Sequence, residues 1–266
     1  GLSARSTIEK LCKIPTEVDI ASEFRYRDPL VDEKTLCIFI SQSGETADTI
    51  AALKLCKEKK AKTLTITNVI GSSITREADY SIYTHAGPEI AVASTKAYTS
   101  QVVLLNILAI YFAEILGINS NMISELKKAI LELPKKIEET LKISEKVKDF
   151  AKQVYNEKDI FFLGRGIDEV VAREGSLKLK EISYIHSESY AAGELKHGPI
   201  ALIENGVTVV GIMTDPNLVE KTISNIQEVI TRGAKTLVIT NQPIDTSMFD
   251  MMIQIPDTHP NIAPTL

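Results

Sequence analysis

Cysteine is scarce in this chain of 266 residues, and tryptophan is absent. The lack of tryptophan excludes nothing. The three cysteines, Cys12, Cys37 and Cys56, all lie in the first quarter, and none forms a CxxC pair. A disulfide scaffold is excluded, and they read as reduced, buried small hydrophobes of a cytoplasmic protein. No excess of positive charge exists: 30 Lys and Arg face 35 Asp and Glu, a net charge of −5. That argues against a dedicated nucleic-acid binder, so no nucleic-acid partner is expected. No signal peptide is recognisable. The most apolar stretch, Val102–Leu116, is interrupted by Asn106 and Glu114 and falls short of the ~20 residues of a spanning helix, so a buried core helix and no membrane are expected. His85, His186 and His259 show no metal-ligand spacing, so neither a metal nor a cofactor is expected. What remains, 44% hydrophobic and 24% charged residues, is an ordinary globular composition. At very roughly 150 residues per domain, the length fits two domains or one duplicated unit.

The duplication is visible. Residues 61–68 read AKTLTITN and residues 234–241 read AKTLVITN, matching at seven of eight positions. Upstream, Ala21–Arg25 faces Ala192–Lys196 at nearly the same offset. Between these anchors each copy has an apolar run, Thr35–Ile40 or Val207–Ile212, then a helical pattern, Glu45–Lys60 or Asn217–Arg232. Short continuous apolar runs mark parallel strands buried on both faces. The fold class is therefore α/β: two tandem subdomains, each a doubly wound parallel sheet between helices. The expected divisions are 1–120, a helical linker 121–157, and 158–266. The linker reads as a helix from Ser124, a break, and a second helix with Pro134 at its first position.

The repeat implies that the chain is cut at both ends. The strand Asp159–Gly164 of copy two has its counterpart before residue 1, and the helix Glu89–Leu116 of copy one has its counterpart at or beyond residue 266. The first subdomain would lack its first strand and the second its last helix and tail, and an impaired catalyst is expected.

Ser41-Gln42-Ser43-Gly44-Glu45-Thr46 follows a buried strand and opens a helix. Such a junction offers unpaired backbone N–H groups and the positive end of the helix dipole, and three hydroxyls with one amide crowd it. The pattern suits a phosphate monoester; the plain alternative is an N-cap through Ser43 or Thr46. The equivalent stretch of copy two, Thr214-Asp215-Pro216-Asn217, loses the hydroxyl cluster and gains an acid, so the phosphate chemistry belongs to one copy only. Glu174, Lys178 and Glu181 share one helical stripe, which suits proton transfer tuned by a neighbouring charge, or a solvated salt-bridge row. In Glu194-Leu195-Lys196-His197-Gly198-Pro199 the histidine, of a residue type suited to carrying protons, sits at a segment's end before Gly-Pro, as a proton carrier or a turn residue. Gly164-Arg165-Gly166-Ile167-Asp168-Glu169 begins like a dinucleotide fingerprint, but Glu169 replaces the third glycine and argues against a nucleotide.

Ala21–Arg27, SQSGET with Ala47-Asp48-Thr49, Val92–Tyr98, Leu163–Gly166, Leu177–His186 and Tyr190–Pro199 together resemble the sugar-isomerase (SIS) half of the glucosamine-6-phosphate synthase family, from about residue 1 to residue 264. The resemblance implies two stacked five-stranded subdomains and a homodimer. It implies fructose 6-phosphate as substrate and glucosamine 6-phosphate as product, with ammonia from a glutamine amidotransferase domain absent from this chain. It gives the phosphate to Ser41, Gln42, Ser43 and Thr46, and the sugar to Val92 and Ser94. It gives C1–C2 proton transfer to Glu181, help at the C2 oxygen to Lys178, and ring opening to His197 in the neighbouring subunit's site. The family's Cys-Gly-Thr-Ser loop would precede Gly1, its Schiff-base lysine would follow Leu266, and its Glu-Ile-Gly-Val is Glu89-Ile90-Ala91-Val92 here. Two alternatives share this fold: a phosphosugar-binding regulatory module, which needs no Lys178–Glu181 stripe, and an amino-sugar-phosphate deglycase.

Overall fold

Short β-branched runs alternating with amphipathic stretches set the layout. The computed structural model describes residues 1–266. In chain order the first elements are helices α1 (Leu2–Cys12) and α2 (Ala21–Phe24), strand β1 (Leu36–Ser41), α3 (Ala47–Glu58), β2 (Lys62–Thr67), α4 (Ser73–Glu77), β3 (Tyr80–Tyr83) and α5 (Lys96–Leu116). Then follow α6 (Ser120–Leu141), α7 (Ser144–Val154), β4 (Asp159–Gly164), α8 (Ile167–Ser183), β5 (His186–Ala191), β6 (Thr208–Met213), α9 (Val219–Ile230), β7 (Lys235–Thr240) and β8 (Met251–Gln254). The chain divides into two compact units, Gly1–Glu9 with Lys13–Leu108, and Lys10–Cys12 with Ala109–Leu266.

The first unit holds a three-stranded parallel sheet in the order β1-β2-β3, and the second a five-stranded parallel sheet in the order β5-β4-β6-β7-β8. The expectation of five strands in each half is thus met only in the second. β1-β2-β3 answers to β6-β7-β8, and the residues ahead of β1 build helices instead of strands. In α1 the buried Ala4, Ile8, Leu11 and Cys12 recur at helical spacing, which a two-residue strand period cannot bury together.

The duplication extends to a side-chain clamp. In the first unit the Asp79 carboxylate accepts from both the N–H and the hydroxyl of Thr63, each at 2.9 Å. In the second, Asp250 does the same to Thr236, at 2.7 and 3.1 Å. These bonds tie the start of the middle strand to the approach of the next one. The backbone bond from Thr63, joined by its hydroxyl, holds the Asp79 carboxyl below the ordinary range.

In the second unit, strand alternation sends Phe161, Leu163, Val209 and Val238 into one core with Ile226 and Val229 of α9. Their neighbours Ile160, Val210, Leu237 and Ile253 enter another with Val154 and Ile185. A sheet buried on both faces accounts for the continuous apolar runs in its strands. In the first unit α3 buries Ala52, Leu53 and Cys56 with Phe39, Ala61 and Ile74. The three cysteines are free; Cys12 and Cys56 are buried and Cys37 is half-buried.

Two expected helix boundaries differ. α6 runs unbroken from Ser120 to Leu141 with Pro134 in its interior, not at the start of a second helix. Its buried residues Ile123, Leu126, Ala129 and Leu133 form one stripe leading up to the proline, and continuous burial outweighs the ~3 kcal/mol that an interior proline costs. α5 begins at Lys96 instead of Glu89, because the Glu89 carboxylate binds the N–H groups of Thr95 and Ala97 and so closes the helix start. At 21 residues α5 is long and apolar enough to cross a membrane by length and composition. Its Leu105, Leu108, Ala109, Ile110 and Ala113 are buried inside the protein, and the buried Asn106 bonds the Thr7 hydroxyl and the Val102 carbonyl. One face of α5 therefore packs in the core, while Ile107, Tyr111, Ile115 and Leu116 on it stay exposed, so the expected buried helix is only partly buried.

Candidate functional site

The hydroxyl loop lies at the carboxyl end of β1, where open parallel sheets receive ligands. Ser41 is buried; its hydroxyl accepts from the Gly44 N–H at 3.0 Å and lies 3.3 Å from the Thr46 hydroxyl. The Ser43 hydroxyl accepts from the Glu45 N–H at 3.2 Å. Neither Ser43 nor Thr46 caps α3: no side chain bonds the helix's first amides. The plain N-cap alternative is therefore not what these hydroxyls do. They shape a loop that leaves the helix's positive end open to an anion.

A second loop fixes the first. Gly44 has φ +69°, and a Cβ there would stand 2.2 Å from the Ser72 hydroxyl. The Gly44 carbonyl accepts from Ile74, and the Glu45 carboxylate accepts from the Ser73 N–H at 2.8 Å, at the start of α4. The Ser73 hydrogen bonds, helped by Arg76, hold Glu45 below the usual carboxylate range.

Beside the loop opens a cleft of ≈ 510 Å³, lined by Gln42, Asn68, Val69, His85, Gly87, Pro88 and Glu89. Its walls are the segments that leave β1, β2 and β3. Asn68 organises them: its N–H donates to the Gln42 carbonyl, its side-chain N–H to the Gly87 carbonyl, and its side-chain oxygen accepts from Thr84 and Ala86. Asn68 was visible in the sequence only as the last letter of the repeated octapeptide. Of the expected sugar contacts, Ser94 is half-buried with its hydroxyl on the Glu89 carboxylate, and Val92 is 88% exposed.

In the second unit the stripe on α8 forms as the spacing implies. The Lys178 ammonium is 2.9 Å from Glu181 and 3.4 Å from Glu174, and all three side chains are half-buried. Burial alone lowers the Lys178 pKa, but the Glu181 hydrogen bond and the Glu174 charge outweigh it and the net shift is upward. Opposite the stripe, Ser176 bonds Ser187 and Gly175 lets α8 close onto Phe162, which seats the helix on β4 and β5. His197 is exposed at the end of the 3₁₀ turn Ala192–His197. That turn is anchored by the fully buried Ala192 and Leu195 and by a Lys196–Glu228 ion pair at 2.9 Å.

The copy-two loop after β6 is not open. Ladder register pairs Ser41 with Thr67 and Met213 with Thr240, so Met213 stands for Ser41 and Thr214 for Gln42. The Asp168 carboxylate, from the first turn of α8, takes the Thr214 N–H at 2.8 Å, the Asp215 N–H at 3.3 Å and the Thr214 hydroxyl. Asp168 is 1% exposed; burial pushes its carboxyl upward against the pull of those hydrogen bonds. The Gly164–Glu169 segment thus spends Asp168 on an internal contact, while Glu169, the acid in place of a third glycine, pairs with Arg173 one turn along α8.

A family model described as the SIS domain matches residues 1–111 and 153–255. The chain belongs to the SIS domain family. This SIS chain is similar along its whole length to glutamine–fructose-6-phosphate aminotransferase (isomerizing) of Clostridium tetani, at 57% identity, and of Clostridium perfringens, at 55%. It spans 44% of the length of each of these relatives. Among solved structures, the C-terminal domain of glucosamine-fructose-6-phosphate aminotransferase from Francisella tularensis superposes with a TM-score of 0.94 at 38% identity, over all of this SIS chain and 76% of that one. The likeness accounts for the α/β architecture with parallel sheets in two SIS repeats.

Proposed function

We propose that this chain is the sugar-phosphate isomerase module of a glutamine-dependent fructose-6-phosphate aminotransferase. It would turn fructose 6-phosphate and ammonia into glucosamine 6-phosphate and water, nitrogen taking the place of the C2 oxygen, with the ammonia coming from a glutamine amidotransferase domain outside these 266 residues. The observation that carries the reading is that a chain 55–57% identical to two such enzymes carries both a hydroxyl loop at a strand-to-helix junction and a half-buried Lys178–Glu181 pair. In this reading Ser41, Gln42, Ser43 and Thr46 hold the phosphate, and Val92 and Ser94 border the sugar. Ketose-to-aldose conversion moves one proton from C1 to C2. A carboxylate serves both halves of that transfer, taking the proton at C1 and returning it at C2, and Glu181 has that role. Lys178, kept cationic by its two carboxylates, stabilises negative charge at the C2 oxygen. His197, on a short turn at the surface, exchanges the proton of ring opening. A homodimer belongs to the same proposal.

The test is interconversion of fructose 6-phosphate and glucose 6-phosphate, with calorimetric binding of fructose 6-phosphate in parallel. Turnover that disappears in Glu181→Gln while binding persists is the expected result. Binding with no turnover in the wild-type chain, alone or joined to the remaining parts of its relatives, would favour the regulatory-module reading instead.

A further inference from the structure

The two repeats treat the same backbone feature in opposite ways. After β1 the Gly44 and Glu45 amides donate to the Ser41 and Ser43 hydroxyls, no carboxylate enters the loop, and the start of α3 is left uncapped beside the Thr46 hydroxyl. After β6 it presents the corresponding loop before α9, whose start likewise has no side-chain cap. Here the amides of Thr214 and Asp215 and the Thr214 hydroxyl already hold two carboxylate oxygens, those of Asp168. The three groups are buried, with exposures of 1%, 3% and 9% for Asp168, Thr214 and Asp215. A carboxylate that takes two backbone N–H groups and a hydroxyl makes the contacts a phosphate oxygen pair makes at a strand-to-helix turn.

We infer that Asp168 is a built-in occupant of the second repeat's anion-receiving loop, a specificity residue that denies this loop to tetrahedral oxyanions and leaves the first repeat's loop as the sole phosphate acceptor. Three features besides the hydrogen bonds point the same way. Asp168 stands in the first turn of α8, which follows β4, and β4 is hydrogen-bonded to β6, so the occupant comes from the helix start beside the adjacent strand end. Gly164 has no room for a side chain: a Cβ there would meet the Asp168 backbone at 2.4 Å, so the turn that delivers the carboxylate is closed tightly. Finally, Asp215 adds a second negative charge where copy one carries Ser43, and its Oδ1 is bound to the Asn217 N–H at 3.0 Å. An incoming dianion would face both carboxylates, and its repulsion from them adds to the lack of space. The inference draws on the proposed role of the first loop only for the identity of the excluded ligand.

The experiment is backbone-amide NMR of the 266-residue chain titrated with inorganic phosphate. In the wild type, the Ser43–Thr46 amides are expected to shift and those of Thr214 and Asp215 to stay still. In Asp168→Ala the Thr214 and Asp215 amides should shift saturably, with a phosphate dissociation constant at least about tenfold below any wild-type response there, which is ~1.4 kcal/mol or more. Asp168→Ser, which keeps a small acceptor for the Thr214 N–H, gives the same readout if the alanine variant does not fold. A wild-type response at Thr214 and Asp215 matching that at Ser43–Thr46 overturns the inference, as does a folded variant in which those amides remain silent. A silent Ser43–Thr46 loop beside a responsive variant loop would instead remove the phosphate reading of the first repeat and leave Asp168 in its role.

Discussion

The Lys178 ammonium sits 2.9 Å from the Glu181 carboxylate on the same face of α8, one helical turn apart. A second carboxylate, Glu174, lies 3.4 Å from the same nitrogen. Two acceptors for one cation favour the protonated lysine, so in the proposed reaction the carboxylate would be the base and the lysine its electrostatic partner. Because the pair is a quarter to a third exposed, its removal costs the fold little. Glu181→Gln should therefore lower turnover of fructose 6-phosphate by about 10²–10⁴-fold, with an unchanged melting temperature. Steady-state kinetics beside a thermal melt separate this from a structural salt bridge, for which both would move together.

The hydroxyl loop makes a separate prediction. Each hydrogen bond to a charged phosphate is worth roughly 1.5–3 kcal/mol, so Ser43→Ala with Thr46→Ala should weaken fructose 6-phosphate binding by more than about tenfold. The neutral sugar fructose should show no difference between the two proteins. Isothermal titration with both ligands decides it, and equal phosphate-ester affinities would remove the loop from the site.

Gly44→Ala is expected to destabilise the first unit by about 2 kcal/mol, from backbone strain at positive φ and overpacking. The new methyl would stand 2.2 Å from the Ser72 hydroxyl, so the loop must give way and carry Ser43 with it. Chemical denaturation gives the stability change. Phosphate affinity should fall in the same variant, and a fully stable Gly44→Ala protein would show that the two loops move apart freely.

A pH dependence follows from His259. Burial lowers its pKa below the ordinary 6.5, with Lys10 adding to the effect and Glu125 opposing it, and its Nδ1 accepts from the Asn261 N–H at 3.1 Å. The folded chain therefore holds the neutral ring, while the unfolded chain gains a proton near pH 6.5. The stabilisation is complete above that pH and is lost as pH falls through the depressed folded value. His259→Asn, which keeps an acceptor near Nδ1 but does not titrate, should flatten the melting temperature between pH 7 and the acid side. An identical acid slope in both proteins would show that other groups set it.

Much of the fold could be read from local pattern. The repeated octapeptide locates β2 and β7 within one residue, and the buried face Ala52, Leu53 and Cys56 of α3 follows from helical spacing. The hydroxyl cluster and the Glu174–Lys178–Glu181 stripe were legible for the same reason, since both are set by residues within eight positions of one another. Helix boundaries were less so. Pro134 reads as a helix start wherever only its missing N–H is considered, and it is the burial of Ile123, Leu126 and Leu133 that carries α6 through it.

By itself the sequence determined the alternation of strand and helix, the duplication and the one-sided distribution of the hydroxyls, because these depend on residue type and near spacing. Only the tertiary structure decided which polar groups are spent on the fold and which remain for a ligand. Glu45 reaches across 28 positions to Ser73, and Asp168 across 46 to Thr214, and no local periodicity encodes either contact. Two loops at equivalent strand-to-helix junctions thus end in different states, one with no carboxylate in it and one filled by Asp168. What separates them is a carboxylate delivered from the first turn of the helix that follows another strand, where its burial and three hydrogen bonds exist only once the sheet has formed.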